Sequence, residues 1–202
     1  MSNTLGSIRK QPYTFPIETL EFPSAKAFRS WLAKHHADTD GIWLRIYKKD
    51  SGVATVTYDQ ALDEALCYGW IDGLKNALDA KSWIQKFTPR RKRSVWSKRN
   101  TEHVARLIKE KKMTTAGLKE VEAAKADGRW ERAYDAQSLM VVPEDFVERL
   151  SKNKKAKAFY DTLNKANLFA IAYRLQTAKK PETRERRLVS ILAMLADGKK
   201  FH

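Results

Sequence analysis

The hydrophobic periodicity of the chain changes once, at Pro89, and this change constrains the fold more than any other feature. Before Pro89, apolar residues alternate along short segments that are typical of strands, with two helical patterns among them. After it, apolar residues recur at helical spacing, as at Leu188 and Ile191. We therefore predict an α+β fold, in which a small four-strand, mainly antiparallel sheet with two helices is followed by an all-helical C-terminal half. The predicted boundaries are 1–96 and 97–202, packed together as one cooperative unit.

Local signals divide these halves further. A capping box of Thr57 and Gln60 begins the second helix. Asn100 and Asn167 are predicted to start two later helices, and Pro181 the last one. The predicted strands are residues 18–22, 41–48, 70–75 and 82–88, the last two forming a hairpin.

Composition limits the functional class. The single cysteine, Cys67, excludes a disulfide framework and a cysteine-rich zinc site, and it indicates a reducing compartment. The first residues do not resemble a signal peptide, and no segment approaches the ~20 apolar residues of a membrane span. We therefore expect a soluble, cytoplasmic protein. The sequence shows no metal-ligand spacing and no glycine-rich nucleotide loop, so we predict neither metal nor cofactor.

The net charge of +15 is concentrated in two stretches. Residues 86–112 carry eleven basic and two acidic side chains, and residues 149–202 carry fourteen and four. Concentrated positive charge attracts anions. The predicted partners are an anionic small molecule or an acidic protein surface, with nucleic acid as the alternative.

The first basic motif contains four consecutive cations, Arg90 to Arg93, near Trp83, Phe87 and Trp96. Cations interleaved with aromatic residues suit a flexible polyanion, because bases stack while phosphates are neutralised. Arginine also binds a single phosphate or carboxylate through two donors. The alternative is a solvated loop whose tryptophans belong to the core.

The second basic motif, residues 179–187, falls in the first turn of the last predicted helix. Cations are unfavourable there because the helix dipole is positive at that end, so a bound anion or an acidic neighbour is expected. Arg184 shares a helical face with Leu188 and should point inward or along a cleft. The alternative is an internal salt bridge from Arg184 to a carboxylate such as Asp72.

A third motif, residues 65–73, ends a helix, turns at a glycine and starts a strand. Asp72 and Gly73 are unusual within a strand and can mark a close backbone approach. Cys67 lies at a helix C-terminus, where the dipole does not lower a thiol pKa, so we interpret it as a small buried residue. An enzyme that uses Asp72 near Arg184 is a third hypothesis, although no spacing demands it.

Together these motifs resemble the YdeI/OmpD-associated family, often labelled bacteriocin-protection proteins. The resemblance extends from about the first helix to Lys200, and it implies a role in resistance to bacteriocins or antimicrobial peptides, or in stress. It implies no agreed catalytic mechanism or ligand. The matching residues are Ala65–Gly73; Phe87–Arg91 with Ser94, Trp96, Ser97 and Asn100; and Ala178–Arg184 with Arg187, Met194 and Leu195.

The sequence therefore predicts a non-catalytic protein that binds an anionic ligand or acidic partner in a basic cleft formed by the two basic motifs. Single-stranded nucleic-acid binding through the Arg90–Arg93 loop and its flanking tryptophans is the first alternative, and the enzyme is the second. The predicted ligand-binding residues are Trp70, Asp72, Thr88, Arg90, Arg91, Arg93, Trp96, Thr183, Arg184 and Arg187.

Overall fold

The structure, a computed structural model, describes residues 17–135 and 140–202. The prediction that the first residues do not form a signal peptide concerns residues that lie mostly outside this part of the chain. The chain divides into two compact units, Met1–Ser94 with Arg106–Glu122 and Val95–Ala105 with Ala123–His202. The described residues form one four-stranded sheet and eight α-helices, so the predicted α+β fold is confirmed.

The strands are β1 (Thr19–Glu21), β2 (Ile42–Tyr47), β3 (Trp70–Ala77) and β4 (Ser82–Pro89). The helices are α1 (Ala25–His35), α2 (Tyr58–Cys67), α3 (Lys98–Lys109), α4 (Thr115–Ala126), α5 (Glu144–Ser151), α6 (Lys154–Tyr160), α7 (Lys165–Gln176) and α8 (Pro181–Ala196).

The sheet has the strand order β1-β2-β4-β3. β4 pairs antiparallel with β2 and β3, which confirms the predicted hairpin, and β1 pairs parallel with β2. The β3–β4 register shifts between Asp72 and Lys75. A Cβ at Gly73 would meet nothing nearer than 3.7 Å, so this glycine accompanies a bulge rather than a close approach. The buried Gln85 amide donates to the Gly73 carbonyl at 2.9 Å.

The core of the first unit lies between the sheet and helices α1 and α2. Phe28 and Leu32 of α1 pack with Leu44 and Phe87 of the sheet. Trp70 belongs to the same cluster: it is 1% exposed, and its indole N–H donates to the His36 carbonyl at 3.0 Å. The structure thus places this predicted ligand residue in the core.

Helix caps show what local sequence signals specify. The capping box is present, since the Gln60 N–H donates to the Thr57 hydroxyl and the Thr57 N–H donates to the Gln60 side chain. The predictions for Asn100 and Asn167 were wrong. Ser97 Oγ accepts the N–H of Asn100 at 3.1 Å, and Asn164 Oδ1 accepts that of Asn167 at 3.1 Å. In both helices the asparagine receives the capping hydrogen bond, and the residue three positions earlier provides it.

The second unit contains a helical core made by α5 to α8. Phe146 and Leu150 of α5 pack with Ile171 of α7 and with Leu188 and Ile191 of α8. Of the helices in residues 17–135 and 140–202, none is long and apolar enough to cross a lipid bilayer.

Candidate functional site: a basic groove

One face of α7 carries aromatic and polar side chains at four-residue intervals. Phe169 and Tyr173 form this row, which Thr177 continues just past the end of the helix, and Ala170 and Arg174 form the neighbouring one. The opposite face holds Ile171 and Leu175 against the core of the second unit, which fixes the orientation of the helix. The first row is therefore only partly buried.

This face forms a wall of a groove of about 450 Å³ in the second unit. The volume lies within the range of small-molecule sites, about 300–1,000 Å³. The described residues that line it include two arginines and no aspartate or glutamate. We call it the basic groove; its lining residues are Val95, Phe169, Ala170, Tyr173, Arg174, Thr177, Arg187 and His202.

Two arginines give the basic groove its charge. Arg187 Nη1 donates to the Arg174 carbonyl at 2.7 Å, which satisfies a free carbonyl at the C-terminal end of α7 and fixes the guanidinium. The Arg174 guanidinium lies 4.2 Å from the centre of the Phe201 ring. Within the described ranges, no carboxylate lies within 4.0 Å of either guanidinium. Both charges are therefore available to an anion.

Tyr173 supplies a hydrogen-bond donor beside these charges. Its ring stacks on Phe169 with centroids 5.7 Å apart and lies nearly perpendicular to that of Tyr134, with centroids 4.9 Å apart. Burial raises the pKa of Tyr173, and the nearby Arg187 only partly opposes the rise. The phenol therefore stays protonated at neutral pH and can donate. The Thr177 hydroxyl already donates to the Tyr173 carbonyl at 2.6 Å.

Arg184 is neutralised inside the protein. Its guanidinium donates two hydrogen bonds to Asp145 of α5, at 2.5 and 2.8 Å. The alternative of an internal salt bridge is therefore the correct one for Arg184, but its acceptor is Asp145 and not Asp72. A second pair, Arg149 with Glu185, lies between the same two helices. Acidic neighbours, rather than a ligand, thus balance Arg184 in the first turn of α8.

The Arg184–Asp145 pair is expected to contribute little to stability. The hydrogen bonds from Arg184 hold the pKa of Asp145 below its ordinary value. The pair therefore stabilises the fold above the unfolded-state pKa and loses this contribution as the pH falls through the lowered one. Because the side chains are 33% and 48% exposed, Arg184→Gln should cost less than about 1 kcal/mol at neutral pH. Urea denaturation should show this difference beginning to shrink below pH about 3.9 and disappearing only below the lowered pKa of Asp145; a constant difference would contradict it.

The first basic motif is a loop with exposed cations and buried aromatic residues. Arg91 and Arg93 are exposed, whereas Arg90 is 7% exposed and its N–H donates to the Gly69 carbonyl at 3.0 Å. Trp96 is 2% exposed, and its ring lies 4.9 Å from that of Trp130. Trp96 is therefore packed in the interior and offers no face to a nucleic-acid base, which removes one support for the nucleic-acid alternative.

The enzyme hypothesis gains no reactive group from the third motif. The Asp72 carboxylate accepts the Tyr58 hydroxyl at 2.7 Å. Cys67 is buried, and burial raises its pKa to about 11, so the thiolate does not form at neutral pH. The interpretation of Cys67 as a small buried residue is confirmed. Thr88 and Thr183 are half-buried on β4 and α8.

Of the ten predicted ligand-binding residues, Arg187 lines the basic groove. Sequence analysis missed Phe169, Tyr173 and Arg174, because helical spacing marks an apolar face without telling whether a core or a groove covers it. A signal was present, however, since α7 has aromatic residues and an arginine away from the face that carries its aliphatic residues.

Two family models match the chain. Residues 20–120 match a family described as a domain of unknown function (DUF8412), and residues 140–198 match the one described as bacteriocin-protection, YdeI or OmpD-associated. Residues 140–198 are therefore similar to the YdeI/OmpD-associated family. The sequence resemblance is thereby confirmed for residues 140–198. The motifs at residues 65–73 and 87–100 lie in the segment that matches the other family, and through residues 20–120, half of the chain, the protein belongs to that family, DUF8412. No curated protein and no solved structure gives a significant match.

The segment that matches the YdeI/OmpD-associated family includes most of the residues that line the basic groove. This segment contains α7 and α8, which supply Phe169, Tyr173, Arg174 and Arg187. The candidate site therefore lies mostly in this matched segment and not in the N-terminal sheet.

Proposed function

We propose that the protein binds an anionic ligand in the basic groove without catalysis, and that this binding serves bacteriocin protection or a stress response in the cytoplasm. The observation that carries the proposal is the pair Arg174 and Arg187, which line one cavity with no described carboxylate in contact. Arg184, three residues before Arg187, has such a partner in Asp145. The contrast within a single helix favours a ligand role for Arg187.

The energetics of the basic groove suit an anion. Arg187 is held by its hydrogen bond to the Arg174 carbonyl, so little conformational freedom is lost when its remaining donors bind a ligand. A phosphate or carboxylate between the two guanidinium groups would receive charge-assisted hydrogen bonds, which contribute about 1.5–3 kcal/mol each. The protonated Tyr173 hydroxyl adds a neutral donor.

Arg187→Gln tests the proposal against a neighbouring control. Inorganic phosphate should raise the melting temperature of the wild type, and the phosphate affinity of Arg187→Gln or Arg174→Gln should fall about ten- to hundredfold. Arg186→Gln is the control, because Arg186 is exposed on the same helix and outside the groove lining, and its loss changes the net charge equally. Binding is measured by thermal shift and by calorimetric titration at constant ionic strength.

Two results would count against an anion site in the basic groove. One is an equal loss of affinity in Arg186→Gln and Arg187→Gln, which would indicate a diffuse response to net charge. The other is a wild-type protein that phosphate does not stabilise beyond an equal ionic strength of sodium chloride. Arg184→Gln should keep the phosphate response, since Asp145 already occupies that guanidinium.

A further inference from the structure

We propose that the ligand of the basic groove is a planar aromatic compound that bears one anionic group, such as an aryl phosphate or an aromatic carboxylate. This inference rests on the proposed anion-binding function and adds the class of ligand. It starts from the half of the lining that an inorganic anion would leave unused. That half is apolar: Val95, Phe169, Ala170 and the ring of Tyr173.

The aromatic part of the basic groove is one continuous surface. The rings of Phe169 and Tyr173 stack with an interplanar angle of 30°, one helical turn apart on α7. The rings of Tyr134 and Tyr173 are in contact at an interplanar angle of 86°. A rigid pair of rings presents its surface without losing side-chain entropy on binding, and planar ligands stack on such surfaces whatever their ring substituents.

The charged part lies next to this surface, because Arg174 and Arg187 line the same cavity as Phe169 and Tyr173. Arg187 is close enough to Tyr173 to influence its pKa, and it is bonded to the Arg174 carbonyl. A ligand whose ring lies along Phe169 can therefore place its anionic group between the two guanidinium groups. The Arg174 guanidinium is itself seated on the Phe201 ring, which holds it at this end of the groove.

The dimensions favour a small ligand over a polymer. A single-stranded nucleic acid requires a track of cations that follows its backbone over several nucleotides. The basic groove has two arginines and His202 in a volume of about 450 Å³. A ligand with one ring and one anionic group matches this lining, because the ring contacts the apolar residues and the anionic group contacts the two arginines.

The experiment compares matched pairs of probes on the whole chain. Phenyl phosphate and methyl phosphate carry the same charge, as do benzoate and acetate, and phenol is the neutral aromatic control. The aromatic member of a charged pair should bind about five- to hundredfold more tightly than the aliphatic one, because stacking of one ring provides that range. The aromatic probe with the higher affinity, phenyl phosphate or benzoate, identifies the anionic group. Affinities are measured by calorimetric titration.

The variant Phe169→Leu tests whether ligand binding needs the aromatic ring of Phe169 or only an apolar side chain. This variant keeps an apolar side chain, so the affinity for methyl phosphate should stay within about twofold, while the ratio of phenyl to methyl phosphate should fall below about threefold. Phe159→Leu is the matched control: Phe159 is also half-buried in the second unit but lines a different cavity. It should keep the wild-type ratio.

The outcomes distinguish this inference from the proposed function. Equal affinities for phenyl and methyl phosphate, both lost in Arg187→Gln, would overturn the aromatic class and leave anion binding intact. Binding of phenol as tight as that of phenyl phosphate would overturn both. If no anionic probe binds at all, the proposed function fails first. A preserved ratio in Phe169→Leu would show that the ring surface is not used.

Discussion

Replacement of Gly117 by alanine is expected to destabilise the first unit by about 3 kcal/mol or more. Gly117 lies in the first turn of α4. A Cβ there would stand 2.3 Å from the Cys67 carbonyl oxygen and 2.8 Å from that of Leu66. Both atoms are backbone at the end of α2, so no side-chain rotation relieves the clash and the two helices would have to separate.

The sign of this effect makes it diagnostic. In an exposed helix, glycine to alanine stabilises by about 1 kcal/mol, because glycine loses more backbone entropy on folding. A destabilisation at Gly117 therefore reports the close approach alone. Gly73→Ala is the control, since its Cβ would lie 3.7 Å from the nearest atom and it should change stability by less than about 1 kcal/mol.

Chemical denaturation measures both variants. The fit must allow two transitions, because the chain has two compact units and a single two-state analysis is justified only if one transition is seen. The transition of the first unit should move to lower denaturant in Gly117→Ala. If both Gly117→Ala and Gly73→Ala unfold at the same denaturant concentration as the wild type, helices α2 and α4 do not approach each other in this way.

The close approach at Gly117 illustrates what periodicity cannot supply. The spacing of Leu118 and Val121 identifies the apolar face of α4, but it does not say which unit that face packs on. The Thr114 hydroxyl and N–H both donate to the Cys67 carbonyl, at 2.6 and 3.1 Å, which ties the start of α4 to the end of α2. Hydrogen bonds between residues 47 positions apart leave no mark in a local pattern. The boundary between residues 96 and 97 rests on the change of period and stays a prediction.

Local chemistry, in contrast, was predictable. The capping box of Thr57 and Gln60 and the hairpin of β3 and β4 depend on residues close in sequence, and both are present. The site was less predictable because it depends on long-range pairing. The partner of Arg184 is Asp145, 39 positions away, and charge density alone could not distinguish a neutralised arginine from one such as Arg187 that faces a cavity.

The second large effect is expected from Asn167→Leu, which should release the C-terminal tail and weaken ligand binding together. Asn167 is 1% exposed. Its Oδ1 accepts the N–H groups of Phe201 and His202, both at 3.1 Å, and its Nδ2 donates to Asn164 Oδ1 at 2.8 Å. Leucine fills a similar volume but accepts no hydrogen bond, so both tail N–H groups would lose their acceptor.

The loss of stability should be about 2–3 kcal/mol, since each buried polar group without a partner costs about 1–3 kcal/mol and the tail can escape part of that cost by detaching into water. Hydrogen exchange should show faster exchange of the Phe201 and His202 amides. Chemical denaturation gives the change in stability. Unchanged exchange at these two amides would contradict the assigned role of Asn167.

Binding connects this variant to the basic groove. When the tail detaches, Arg174 loses the Phe201 ring beneath its guanidinium and the groove loses His202 from its lining. The affinity for phenyl phosphate should therefore fall although Arg174, Arg187 and Phe169 are intact. Asn153→Ala is the control, because Asn153 caps α6 in the same unit through the Ala156 N–H at 3.0 Å. It should cost about 1 kcal/mol and leave the affinity unchanged; an equal loss of affinity in both variants would mean that general destabilisation, and not the tail, controls the groove.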